Sequence, residues 1–210
     1  MGILYAIEKL VFTFIGDIKV HGWKRPLWFT INARGYQIKG EHYRIFSKLI
    51  QPGDIILRRY NDYLDSYLIP GFWNHTGIYT GEINENPEQV VHSISEGVLQ
   101  EDLLNFIRTD HLVILRPTEE QKAEAIEKAL KIVGKEYDFG FDFKDSVRFS
   151  CTELVSFCYP KLKVGKKRFF KFVIIADDFY NCSDLKIVWD STKDQTVTSM
   201  GVVESFFAKE

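Results

Sequence analysis

Apolar residues along this chain fall into short runs whose period changes, and those changes outline its elements. Ile3, Leu4, Ile7, Leu10, Val11, Phe14 and Ile15 recur three or four residues apart, which places them on one face of a helix. An aromatic, basic stretch runs from Trp23 to Tyr36, and a helical segment around Glu41 to Ile50 is ended by Pro52-Gly53. Asp54 to Leu57 reads as a short buried strand, and Asn61 to Pro70 as a loop or irregular helix. Thr76 to Thr80 and Val90 to Ile94 are strand-like runs on either side of residues 81–88, a polar stretch rich in turn formers, so together they predict a hairpin. A short helix at Glu101 to Ile107 and a strand at His111 to Arg116 follow. Thr118 to Val133 has a helical period, with Thr118 and Gln121 in capping-box spacing and Gly134 as the stop. After the aromatic segment Tyr137, Phe139, Phe141, Phe143 comes a helix over Ser150 to Tyr159. Leu185 to Trp189 reads as a late strand that closes the sheet.

Composition narrows the class. With 210 residues, 45% apolar and 27% charged, the chain has the makings of one globular domain with a sizeable core. Lys plus Arg is 27 against 29 Asp plus Glu, and the basic run from Lys161 to Arg168 is short, so it reads as a solvated loop and nucleic acid is not an expected partner. Three cysteines, an odd number, do not look like a secreted disulfide framework and point to a reducing, cytoplasmic setting. On one helix Cys151 and Cys158 would lie about 10.5 Å apart along the axis, beyond disulfide reach. The first helix is too short to span a bilayer and lacks the features of a secretory signal. Its plain reading is docking on the protein's own core; its sharper one is a membrane-surface or partner contact through residues 3–15, which would make the protein membrane-peripheral.

Ser150 and Glu153 stand three apart just before an apolar helical run, a capping box that puts Cys151 in the first helical turn. Unpaired amides and the macrodipole there favour a negative charge, so a lowered thiol pKa is expected. Cys158 and Cys182 read as packing residues. His75 opens one strand of the hairpin and His92 lies in the other. If they stand directly opposite, the turn is centred at 83.5, inside the polar loop, and their Cβ atoms are about 5 Å apart. One imidazole can then take the thiol proton while the other orients it. Glu96 competes as orienter, but about 13 Å of strand separates it from His92. His21, His42 and His111 have no such partners and read as structural. A zinc site from His75, His92 and Cys151 is chemically allowed, yet no metal-ligand spacing supports it, and no metal or other cofactor is expected.

These residues carry a resemblance. Gln51-Pro52-Gly53-Asp54-Ile55-Ile56, Asn74-His75-Thr76-Gly77-Ile78-Tyr79, Val90-Val91-His92, Gly97-Val98 and Leu103 resemble the histidine half of NlpC-type papain-fold peptidases. Gly134-Lys135-Glu136-Tyr137 and Ser150-Cys151-Thr152-Glu153-Leu154-Val155 resemble the cysteine half, here placed second. That order is similar to the circularly permuted YiiX and YebB-like hydrolases, over roughly residues 51 to 190. The resemblance implies Cys151 as nucleophile, His75 as base and His92 as the polar third residue, where many permuted members carry a glutamate. It also implies Tyr137 as a tyrosine near the oxyanion or the substrate's amine. Asp177-Asp178-Phe179 resembles a family segment without a stated role.

The expected fold is therefore α+β and papain-like: a small antiparallel sheet packed on the cysteine helix, with residues 1–50 as an N-terminal helical arm and 51–210 as the permuted hydrolase domain. The expected activity is a cysteine hydrolase that cleaves an amide, in a peptide or acyl-amino acid, through a thioester. An acyltransferase or lipid hydrolase with the same triad, and a catalytically silent binding module, are the alternatives.

Overall fold

The computed structural model describes residues 3–16, 20–21, 28–29, 36–61, 63, 65–141, 143, 146–168 and 171–193. Most of the aromatic, basic stretch from Trp23 to Tyr36 lies outside them. The chain opens with α1 (Ile3–Gly16), the two-residue strands β1 (Val20–His21) and β2 (Trp28–Phe29), and α2 (Gly40–Leu49). Then follow β3 (Ile55–Arg59), α3 (Asp65–Leu68), β4 (His75–Ile83), β5 (Asn86–Ile94), β6 (Gly97–Asp102), α4 (Leu103–Phe106), β7 (His111–Arg116) and α5 (Glu119–Lys131). The last third supplies α6 (Cys151–Cys158), the hairpin β8 (Lys166–Arg168) and β9 (Lys171–Val173), α7 (Ala176–Tyr180) and β10 (Lys186–Asp190).

Six strands make one antiparallel sheet in the order β10-β7-β3-β4-β5-β6. Both faces are covered, which is why the central strands read as continuous apolar runs rather than as alternations. Ile55, Leu57, Ile78, Val91, Val113 and Leu115 face α5 and α6, meeting Ala125, Ala129, Leu154 and Val155. Ile56, Val90, Leu112 and Ile114 face the other way, onto Phe46 of α2, Leu103 and Phe106 of α4, and Trp189. Each fully buried Leu, Val or Phe contributes roughly 1.5–3 kcal/mol, so α6 is held by its apolar face rather than by its eight-residue length. Tyr159, buried at the end of α6, donates its hydroxyl to the carbonyl of Gly53 and ties the helix to the start of β3. Asp54, also buried, is neutralised by Arg116 (Nε–Oδ1 2.9 Å, Nη2–Oδ2 2.7 Å).

Three local expectations change. No long loop separates the hairpin strands: β4 runs to Ile83, β5 starts at Asn86, and Asn84 and Glu85 turn the chain with φ of +49° and +65°. Two successive residues with positive φ match the right-handed twist of a hairpin. Glu101 lies in β6, not in a helix; the helix starts two residues later, where the Asp102 carboxylate accepts from Leu104 N (2.8 Å). Thr118 opens α5 without a side-chain bond to the backbone, its hydroxyl accepting instead from Gln121 Nε2 at 2.8 Å.

Candidate active site

The start of α6 is built by the capping box visible in the sequence. Ser150 Oγ accepts from Glu153 N (3.4 Å), and Glu153 Oε2 accepts from Ser150 N (2.7 Å). Ser93 of β5, fully buried, donates its hydroxyl to the carbonyl of Phe149 at 2.5 Å. That bond fixes the chain one residue before the cap, so the sheet itself sets where α6 begins.

The pairing of β4 with β5 ends at Gly77–His92, leaving His75 and Thr76 beyond the ladder. Tyr79 N bonds the carbonyl of Asp54, just before β3, so by alternation the amides of Ile78 and Thr76 turn toward β5. At Thr76 that amide faces the sulfur of Cys151, joined there by the amide of Thr152. The thiol is thus wedged into the open end of the two strands, against the peptide that joins His75 to Thr76. Its environment reverses the expectation of a lowered pKa. Burial pushes the Cys151 thiol up to about 11; the two amides and the Arg58 cation pull it down, and Glu153 pushes it up further. Eight per cent of Cys151 is exposed, and losing water outweighs the helix terminus. Cys158, deeper in the core, is driven by burial to about 12. All three cysteines are free thiols.

His75 and His92 share a face but are not directly opposite. Gly77 is the partner of His92, so the histidines are diagonal neighbours, two residues off the expected register. Their rings still meet: His75 Nε2 lies 2.9 Å from His92 Nδ1, with centroids 5.1 Å apart. Gly77 makes this possible, because a Cβ there would press on Phe106 and His92 at 3.1 Å and on Val90 at 2.9 Å. Burial, then the Arg58 and His92 charges, hold His75 well below the usual imidazole pKa. His75 Nδ1 is the ring nitrogen left for a second partner. Among the described residues no hydrogen bond yet joins it to Cys151; such bonds often tighten only with substrate in place.

Behind His92 stands a residue that the sequence reading missed. His92 Nε2 approaches Glu101 Oε2 to 3.0 Å, a close but bent contact, and Arg58 Nη1 lies 3.8 Å from the same oxygen. Burial lowers the His92 pKa and Glu101 raises part of it back. Burial raises Glu101, but the His92 hydrogen bond, the His92 charge and Arg58 leave its carboxyl below the ordinary value. Strand parity could have found it, since Glu101 pairs with Val90, on the face of His92. Glu96 instead accepts from Ser95 Oγ at 2.7 Å. His42 caps α2 by accepting from Lys39 N at 3.0 Å, and the His111 ring packs on Phe72; the His21 side chain lies outside the described residues.

Tyr137 follows Glu136, whose carbonyl accepts from Phe149 N at 2.9 Å, so its backbone runs beside the start of α6. Glu153 reaches into this loop with Oε1 accepting from Phe143 N (2.9 Å). Burial and the neighbouring Asp138 lift the Glu153 carboxyl to about 7. Helix α1 sits on the same loop: Tyr5 donates its hydroxyl to the Tyr137 carbonyl at 2.6 Å, and Tyr5 and Phe12 pack on Phe139. Among its described side chains, Ile7, Leu10 and Val11 are exposed. A cavity of about 530 Å³ opens elsewhere, between Lys163 and Asp184, away from these residues.

Comparison with known proteins bears on the family and the fold. The family described as permuted papain-like amidase enzyme, YaeF/YiiX, C92 family, matches residues 49–205. A solved structure titled as the crystal structure of metalloprotein yiiX from Escherichia coli O157:H7 superposes with a TM-score of 0.55 at 19% identity, covering 67% of this chain and 97% of that one. At that identity the likeness is one of fold. No curated protein matches the sequence.

Proposed function

Because the chain belongs to the permuted papain-like amidase family of the YaeF/YiiX, C92 type, we propose that Cys151 is its nucleophile and His75 its general base, with His92 orienting His75 and Glu101 holding His92. The observation that carries this is the seat of the Cys151 sulfur against the His75–Thr76 peptide, with the His75–His92–Glu101 contacts behind it. Burial keeps both the thiol and the imidazole neutral at rest, so proton transfer accompanies attack rather than preceding it. His75 Nδ1 takes the thiol proton as sulfur adds to the amide carbonyl. Amides at the start of α6 and the Tyr137 hydroxyl serve the oxyanion. The imidazolium then protonates the leaving amine as the C–N bond breaks, leaving a thioester. Water, deprotonated by His75, adds to the thioester carbonyl; the C–S bond breaks, the thiol recovers its proton, and the acid is released.

We favour a peptide or acyl-amino acid as the substrate. The E. coli relative is titled a metalloprotein, but the described residues here form no group of three His, Cys, Asp or Glu side chains able to hold a metal, and the two imidazoles spend facing nitrogens on each other. A second reading, an acyltransferase or lipid hydrolase with the same triad, draws on the exposed apolar side chains of α1 beside the Tyr137 loop. The test is turnover of a panel of peptide amides, N-acyl amino acids and acyl lipids, with hydroxylamine-sensitive acyl adducts mapped by mass spectrometry. An adduct on Cys151, lost with Cys151→Ala, is the expected result. Turnover that survives Cys151→Ala, or an adduct on Cys158 or Cys182, overturns the assignment.

A further inference from the structure

Asp177 and Asp178 of α7 take no part in the chemistry above, yet Asp177 reaches the turn that leads to its proposed base. Asp177 accepts from Phe72 N (3.0 Å) and Trp73 N (2.8 Å) with its two oxygens. Those amides belong to the turn that leads into Asn74-His75. Gly71 in the same turn has φ of +104°, and a Cβ there would come within 2.4 Å of Asp177 Oδ2, so glycine is what lets the turn close on the carboxylate. Trp73 is buried and packs 5.8 Å from the ring of Tyr180, on the same helix. Asp178 points elsewhere, taking a two-pronged contact from Arg168 of β8 (2.8 and 2.6 Å) and the amide of Ile175, which caps its own helix.

His75 is paired on one side with Arg58 of β3. Its strand has already parted from β5 at Gly77, so on that side no ladder holds it. A base must nonetheless keep its ring in place to within a fraction of an ångström, and an error of 1 Å can cost roughly a hundredfold in rate. Two charge-assisted bonds from a packed helix to consecutive amides supply that restraint.

We propose that Asp177 is a positioning residue for His75: through the Phe72 and Trp73 amides it fixes where β4 begins, and so where the imidazole stands relative to Cys151. The proposal rests on the reading of His75 as the base. Iodoacetamide alkylation of Cys151, followed by peptide mapping from pH 5 to 9, tests it without a known substrate. His75→Ala should slow alkylation at neutral pH and change its pH profile. Asp177→Asn keeps the shape but turns an amino group toward one of the amides, and should move rate and profile toward those of His75→Ala, by about threefold to thirtyfold. Gly71→Ala should repeat that effect from the other side of the contact. Asp178→Asn, which breaks a comparable pair on the same helix, should keep the wild-type rate and profile even where it lowers the melting temperature. A wild-type profile in folded Asp177→Asn, with His75→Ala impaired, overturns the proposal. If His75→Ala itself alkylates normally, the assignment of the base fails first and this role of Asp177 falls with it.

Discussion

Replacing Glu101 by Gln removes a charge while keeping the shape of the side chain, and so isolates what the carboxylate does for His92. At 3.0 Å from His92 Nε2, the Coulomb energy of a full ion pair at an effective dielectric of 20 is about 5.5 kcal/mol, an upper bound. Twenty-nine per cent of the Glu101 side chain is exposed and the contact is bent, so screening cuts this figure. A hydrogen bond to a charged group contributes about 1.5–3 kcal/mol, which corresponds to a fall of roughly ten- to 150-fold in kcat/KM if it acts in the transition state. His92 also loses the influence that raises its pKa, and becomes a poorer support for an imidazolium at His75. Because Arg58 loses its counter-charge as well, melting must be followed alongside kinetics so that rates refer to folded protein. Glu101→Asp, which keeps the charge on a shorter arm, should fall in between. A Glu101→Gln enzyme with kcat/KM within about twofold of wild type and an unchanged Cys151 alkylation profile would refute the role given to Glu101.

Other outcomes follow from the same geometry. Alkylation of Cys151 should climb steadily between pH 6 and 9 and outpace that of Cys158, since burial holds these thiols at about 11 and about 12; a plateau already present at pH 6 would mean a preformed thiolate. Glu153, lifted to about 7, contributes stability that is present below the ordinary carboxyl pKa and lost as pH rises through about 7. The melting temperature of wild type relative to Glu153→Gln should therefore fall over that window, and a pH-independent difference would contradict it. Ser93→Ala leaves the Phe149 carbonyl without its buried donor and should cost about 1–3 kcal/mol in urea unfolding; an unshifted midpoint would show that the start of α6 needs no brace from the sheet. Tyr137→Phe should lower kcat by about tenfold or more with melting unchanged, and an unchanged rate would remove the phenol from the site.

What could be read from the sequence was what local chemistry decides. The box of Ser150 and Glu153 involves residues three apart, and both its bonds are present. The shared face of His75 and His92 follows from strand parity alone, which survives a register error of two residues. The register itself did not, because it depends on the turn at Asn84-Glu85, where a non-glycine pair adopts positive φ. Glu101 was missed because the polar end of β6, Gln100-Glu101-Asp102, reads like the start of the helix that follows. The raised pKa of Cys151 was not legible either. A helix N-terminus is visible in sequence, whereas the burial that overrides it comes from packing against elements distant along the chain, such as the strand of Thr76. Asp177 belongs to the same class: its partners lie 104 and 105 residues away.

The order of the elements along the chain is also an order in time during synthesis. Five of the six strands of the main sheet precede α6, and β3 through β6 pair largely with near neighbours in sequence, contacts that form quickly. His75, His92 and Glu101 have all been synthesised by residue 102, well before Cys151 is translated. When α6 does emerge, the Ser93 hydroxyl and the open end of β4 and β5 are already there to receive it. From residue 75 to residue 151 the nascent chain thus carries the proposed base without its nucleophile, and the Cys151 thiol is enclosed as soon as it folds.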